Sequence, residues 1–181
     1  MSVQEAKEAI DYAIGLASLG AGVSCIVKIC NPLPISDILS QVVTMKIISD
    51  DIASIYGFKS LPGQKRFTGK LVGAGGGAKL ASEAAMLVPF LGLGASTAAA
   101  FSIQVTAGIV FIIIFELLQK GRIPEDYMKT ASASDIAILL RLAAAVIGDI
   151  LGGKDRVAAI STAVGNFQTA VDANFRPAAT R

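Results

Sequence analysis

Between Glu83 and Glu116 lie 32 consecutive residues without a charged side chain. A run of that length has to be withdrawn from water on most of its sides, by lipid or by other helices. Pro89, Gly92 and Gly94 interrupt it near its start, which gives a short helix to about 88, a turn over 89–92 and a long helix over 95–119. At 1.5 Å per residue the long helix reaches roughly 37 Å, more than the roughly 30 Å hydrocarbon core of a bilayer. Val105, Ile109, Val110, Phe111, Ile112, Ile113, Ile114 and Phe115 are its candidates for membrane embedding. Its first half, with Ala98 and the preceding Gly94, is rich in Ala, Ser and Thr and suits close helix contact. The competing reading is a fully buried central helix of a bundle.

The rest of the chain also reads as helix, and no segment alternates with period two for long enough to make a strand. Ala6, Ala9, Ile10, Ala13, Ile14 and Ala17 recur at helical spacing, so a first helix is expected over 3–30. Ala9, Ala13, Ala17 and Ala21 form a four-residue ladder that lets two backbones approach closely, within the chain or in a homo-oligomer. After Pro32 and Pro34, Ser36 or Asp37 is placed to cap a second helix over 37–56, stopped by Gly57. Residues 58–72 carry Lys59, Lys65, Arg66 and Lys70 and no acid. They read as a solvated connector or as a patch for anionic headgroups or a partner. A C-terminal helical pair is expected over 132–176, the first member capped by Ser134 or Asp135 and holding Arg141, which either snorkels to water or pairs with an acid such as Asp149. The expected fold is one all-α domain over 1–181, a bundle of about five to six helices with one or two long apolar, membrane-embedded members.

Composition narrows function more than it assigns it. The chain is 53% apolar and only 17% charged, with a mean hydropathy of +0.62, which favours a bilayer or a large helix interface over disorder. A net charge of +2 is too balanced for a protein that lives by neutralising phosphates, so nucleic acid is not the expected partner. There is no His, and the two cysteines, Cys25 and Cys30, lack companions for a metal site. They read as free buried thiols in a reducing cytoplasm, and no cofactor or metal is expected. The run Gly73-Ala74-Gly75-Gly76-Gly77-Ala78-Lys79 fails the phosphate-loop pattern, since Ala precedes the lysine and Leu80 follows it. Asp50 and Asp51 point about 100° apart on a helix, a poor acid–base dyad, and Asp37 reads as a cap, so no catalytic residue is assigned.

Two blocks carry a resemblance. Pro32-Leu33-Pro34-Ile35-Ser36-Asp37 leading to Ile52-Ala53-Ser54-Ile55-Tyr56-Gly57, and Val88-Pro89-Phe90-Leu91-Gly92 followed by a small-residue helix ending in Phe115-Glu116, resemble the YcjF-type domain of unknown function over about 10–120. The first block also resembles the EcsC-type family. The YcjF resemblance implies an all-helical, membrane-linked domain that works beside a GTPase, here in trans because the chain has no GTPase motif. It implies no catalytic residues. The function expected is therefore a non-enzymatic, membrane-associated helical scaffold, in contact with membrane lipid and forming a homo-oligomer. Two alternatives stand beside it: a soluble helical homo-oligomer that buries the apolar helix between subunits, and a pore-forming or lipid-binding protein.

Overall fold

The structure, a computed structural model, describes residues 7–17, 19, 34–59, 61–74 and 95–175. Seven helices and no strand occur among the described residues. They are α1 (7–17), α2 (Pro34–Ile55), α3 (Gln64–Ala74), α4 (Ala95–Gln119), α5 (Tyr127–Thr130), α6 (Ala133–Leu151) and α7 (Arg156–Phe175).

Helix α4 runs over the residues expected of it and is the axis of the molecule. It packs on α2, α6 and α7, and it meets α1 at Gly108. Every residue from Gln104 to Leu118 is buried, and Val110 to Leu117 are 0–1% exposed. Among the described residues no helix is long and apolar enough to cross a membrane. The expectation of membrane embedding at Val105 and at Ile109 to Phe115 is thus corrected: all of these side chains face other helices. The amide of Gln104 and the carboxylate of Glu116 bracket eleven residues, about 16 Å of helix, half of a hydrocarbon core. The apolar run on all sides of α4 is met by protein on all sides.

The stops are set by backbone chemistry. After α2, α4 and α6 the chain turns through a glycine with positive φ, at Gly57, Gly121 and Gly153. In each the glycine N–H and the next N–H return to the helix, as in Gly57 to Ser54 O at 3.0 Å and Phe58 to Ala53 O at 2.8 Å. This double closure satisfies carbonyls that the helix end leaves free. Starts differ more from expectation. Helix α2 begins at Pro34, whose missing N–H costs nothing in a first turn, so Ser36 and Asp37 lie inside the helix and not before it. Ser132 caps α6 in a capping box with Asp135, two residues ahead of the expected cap, because Asp135 serves as the reciprocal partner. Arg141 lies on the exposed face of α6, and Asp149 pairs with Lys154 at 2.8 Å instead.

Residues read as a connector form α3. Phe67 and Leu71, one turn apart, are 0% and 3% exposed and anchor it against α2 and α6. Gln64, 7% exposed, donates to Ser49 Oγ at 2.5 Å and to Asp50 Oδ1 at 2.9 Å, and accepts from the Leu61 N–H at 3.3 Å. One amide thereby fixes the α2–α3 corner. The glycine run is described only at Gly73 and Ala74, the last residues of α3, and its residues 75–79 lie outside the described residues, as do Cys25, Cys30, the turn over 89–92 and the helix before it.

At the α1–α4 crossing a Cβ on Gly108 would stand 2.8 Å from the Ala13 Cβ and 3.5 Å from Ile48 Cγ2. Two polar contacts flank this crossing. The Tyr12 hydroxyl donates to Asp51 on α2, and Arg156 on α7 pairs with Asp11. Gly108→Ala should therefore lower stability by about 1–3 kcal/mol, read as a fall in the urea midpoint, and Ala13→Gly placed in the same chain should restore part of it. Burial, with the hydrogen bond to Asp51 and its charge, pushes the Tyr12 hydroxyl up to about 12 from 10.0. Since the folded state holds this proton more tightly than the unfolded one, the associated stability is complete below pH 10 and is lost as pH rises toward 12. Phenolate absorbance should show this hydroxyl titrating near pH 12 in the folded chain, and Asp51→Asn should lower its midpoint.

Candidate functional site

One end of the bundle gathers the turns after α2 and α4, the first turn of α3, and α5. Aromatic packing holds the first two together. Phe115 stacks on Tyr56 and Phe58 with ring centroids 6.0 Å and 5.6 Å away, and Phe111 continues the stack on one side of α4. Beneath them Glu116, 1% exposed, accepts a long hydrogen bond from the Tyr56 hydroxyl at 3.4 Å. The Lys120 ammonium lies 3.1 Å from its other carboxylate oxygen, which has no aligned hydrogen-bond donor among the described residues. The Lys120 contact is therefore an attraction between charges, off the axis of a directed bond.

Helix α5 closes on the start of α3 at a point without spare room. Gly63, with φ +84°, brings its α-carbon so near Lys129 that a Cβ there would lie 2.6 Å from the Lys129 backbone. Lys70 then reaches across and donates to the Ala131 carbonyl at 2.7 Å. These contacts place Lys129 beside the basic start of α3.

The result is a cationic surface. Lys59, Lys65 and Arg66, expected as headgroup or partner contacts, are exposed at this end, and Lys120 and Arg122 join them from the turn after α4 and Lys129 from α5. Glu125 and Asp126 are the exposed carboxylates of the same turns. Lys70 is half-buried, and its bond to Ala131 makes it a strut of the fold. Phe58 and Ile123 are partly exposed apolar side chains within this surface. Sequence reading missed Lys120, Arg122 and Lys129 because they belong to other segments, and only the Gly63–Lys129 approach and the Phe58–Phe115 stack bring them alongside.

The small-residue ladder has a different place. Ala9, Ala13 and Ala17 are 0%, 1% and 0% exposed, buried within one chain. Ala21 and Gly94 lie outside the described residues, and Ala98 is described only as part of the α4 backbone. Asp50 and Asp51 have separate engagements, Asp50 with Lys46 and Gln64, Asp51 with Tyr12. Among the described residues no group of three or more His, Cys, Asp or Glu side chains is arranged to hold a metal ion. No family model matches the chain, and neither the curated proteins nor the solved structures include a match to it.

The Glu116–Lys120 pair gives a direct test of this end's construction. Lys120→Ala leaves the Glu116 carboxylate buried without its counter-charge and should cost about 1–3 kcal/mol. The double variant Glu116→Gln/Lys120→Ala should recover most of the loss in chemical denaturation, because the amide carries no charge to strand.

Proposed function

We propose that the protein is a non-enzymatic helical scaffold that docks by its basic end on an anionic membrane surface. What carries this reading is six exposed cations, Lys59, Lys65, Arg66, Lys120, Arg122 and Lys129, on segments that the Phe58–Phe115 stack and the Gly63–Lys129 approach bring to one end, with two exposed carboxylates, Glu125 and Asp126. Lys120 is balanced by the buried Glu116. Near an anionic leaflet each Lys or Arg contributes about 1 kcal/mol, so the remaining excess of three supplies about 3 kcal/mol, roughly a hundredfold in partitioning. Phe58 and Ile123, partly exposed amid these charges, add apolar contact at headgroup depth. This mode leaves α4 inside the bundle and needs no spanning segment. The GTPase acting in trans that the YcjF resemblance implies would meet the scaffold on its remaining faces.

Vesicle flotation tests the proposal. The full chain should float with phosphatidylserine-containing vesicles and stay behind with pure phosphatidylcholine, and about 0.5 M salt should release it. Lys65→Glu/Lys129→Glu should abolish flotation without a change in the far-ultraviolet circular dichroism. Equal binding to both kinds of vesicle, or flotation unaffected by the double variant, would overturn the assignment of the basic end.

A further inference from the structure

Among the described residues, helix α1 is fastened by few large side chains. The fully buried ones among its described residues are three alanines, Ala9, Ala13 and Ala17, and a single larger one, Ile10, with Ile14 and Leu16 partly buried at the edge. Alanines remove little apolar surface from water, and elements with few large buried contacts open first in a native protein. The contrast with α6 is direct. There Ile136, Ile138, Leu139 and Val146 are buried, and the neighbouring helix α7 is joined by a short turn.

What α1 lacks in apolar contact it replaces with polar clips. Asp11 and Arg156 remain 48% and 43% exposed while paired, so salt reaches this contact freely. Tyr12 and Asp51 form the second clip, to α2. The surface beneath the helix adds a bias toward opening. Gln104 lies one turn before Gly108 on the same face of α4, and it is 0% exposed with neither its amide nitrogen nor its oxygen hydrogen-bonded among the described residues. A buried primary amide without partners is costly, and admission of water satisfies it. The close seat at Gly108 leaves no room for a larger α1 side chain to compensate.

We propose that α1 is a detachable strap over α4, latched by the Asp11–Arg156 and Tyr12–Asp51 contacts, whose release uncovers the Gln104–Gly108 face of the central helix. Ionic conditions then act on α4 through α1, since the ion pair is the part of the latch that salt screens. The face uncovered combines a hydrogen-bonding amide with a glycine notch. The device does not depend on where the basic end docks.

Hydrogen exchange of the full chain, followed by mass spectrometry at about 0.05 M and about 0.5 M salt, tests the strap. Amides of 7–17 should exchange at least roughly tenfold faster than those of 108–118, and high salt should accelerate 7–17 alone. Arg156→Gln, a change at a half-exposed position, should bring the exchange of 7–17 at low salt to its high-salt rate and leave 136–146 as it was. Gln104→Leu, which removes the unpartnered amide, should slow exchange in 7–17. Equal protection of α1 and α4, or exchange in 7–17 that responds neither to salt nor to Arg156→Gln, would overturn the proposal; so would a Gln104→Leu chain in which 7–17 opens as fast as before.

Discussion

The burial of α4 on every side is the constraint from which the rest of the architecture follows. Ile109, Val110, Phe111, Ile112, Ile113, Ile114 and Phe115 leave no polar face, so the helix needs neighbours all round it. Helices α2, α6 and α7 supply large side chains on three sides. The fourth side carries Gly108, where only another small residue can approach, and Ala13 fills it. The bundle therefore has two kinds of interface around one axis: broad apolar ones that bury much surface, and a narrow one where backbones nearly touch. Stability resides mainly in the first kind, because free energy follows the apolar area removed from water.

The polar groups drawn into this core are arranged around the same axis. Glu116 sits beneath the aromatic stack of Tyr56, Phe58 and Phe115, with Lys120 one turn further along the helix as its counter-charge. Gln64 takes up Ser49, Asp50 and the Leu61 N–H, which gives the α2–α3 corner a single hydrogen-bonded centre. Gln104 and the Tyr127 hydroxyl stand outside this accounting, both buried without a hydrogen-bond partner among the described residues. Gln104 lies one helical turn from the Gly108 seat of α1, and a group that gains partners in water is least costly near a place where water enters readily.

Helical periodicity made much of this legible in the chain. The bounds of α4, the stop at Gly57 and the pair over 132–176 follow from apolar spacing and glycine placement, which are local properties. Helix α3 was not legible, since three cations, Lys65, Arg66 and Lys70, mask the two residues, Phe67 and Leu71, that fasten it. The role of the apolar run in α4 was ambiguous for a physical reason: lipid and protein are equally apolar surroundings, and a side chain such as Ile112 suits both. Of the cationic surface, Lys59, Lys65 and Arg66 were visible as a cluster in sequence. Lys120, Arg122 and Lys129 became part of it only through contacts between residues as distant as Gly63 and Lys129.

The crossing of Ala13 with Gly108 also sets a timetable for synthesis. Its two halves are separated by 95 residues of chain, so α1 is made long before its seat exists. At the usual 5–20 residues per second the delay is about 5–20 s, vastly longer than a helix needs to form or melt. Throughout that interval the alanine face of α1 has no α4 to rest against, whereas α6 and α7 emerge as adjacent segments and pair at once. A nascent helix whose inner face is mostly alanine presents little to which other chains or a chaperone would adhere, and Ala9, Ala13 and Ala17 thus suit a segment that must wait.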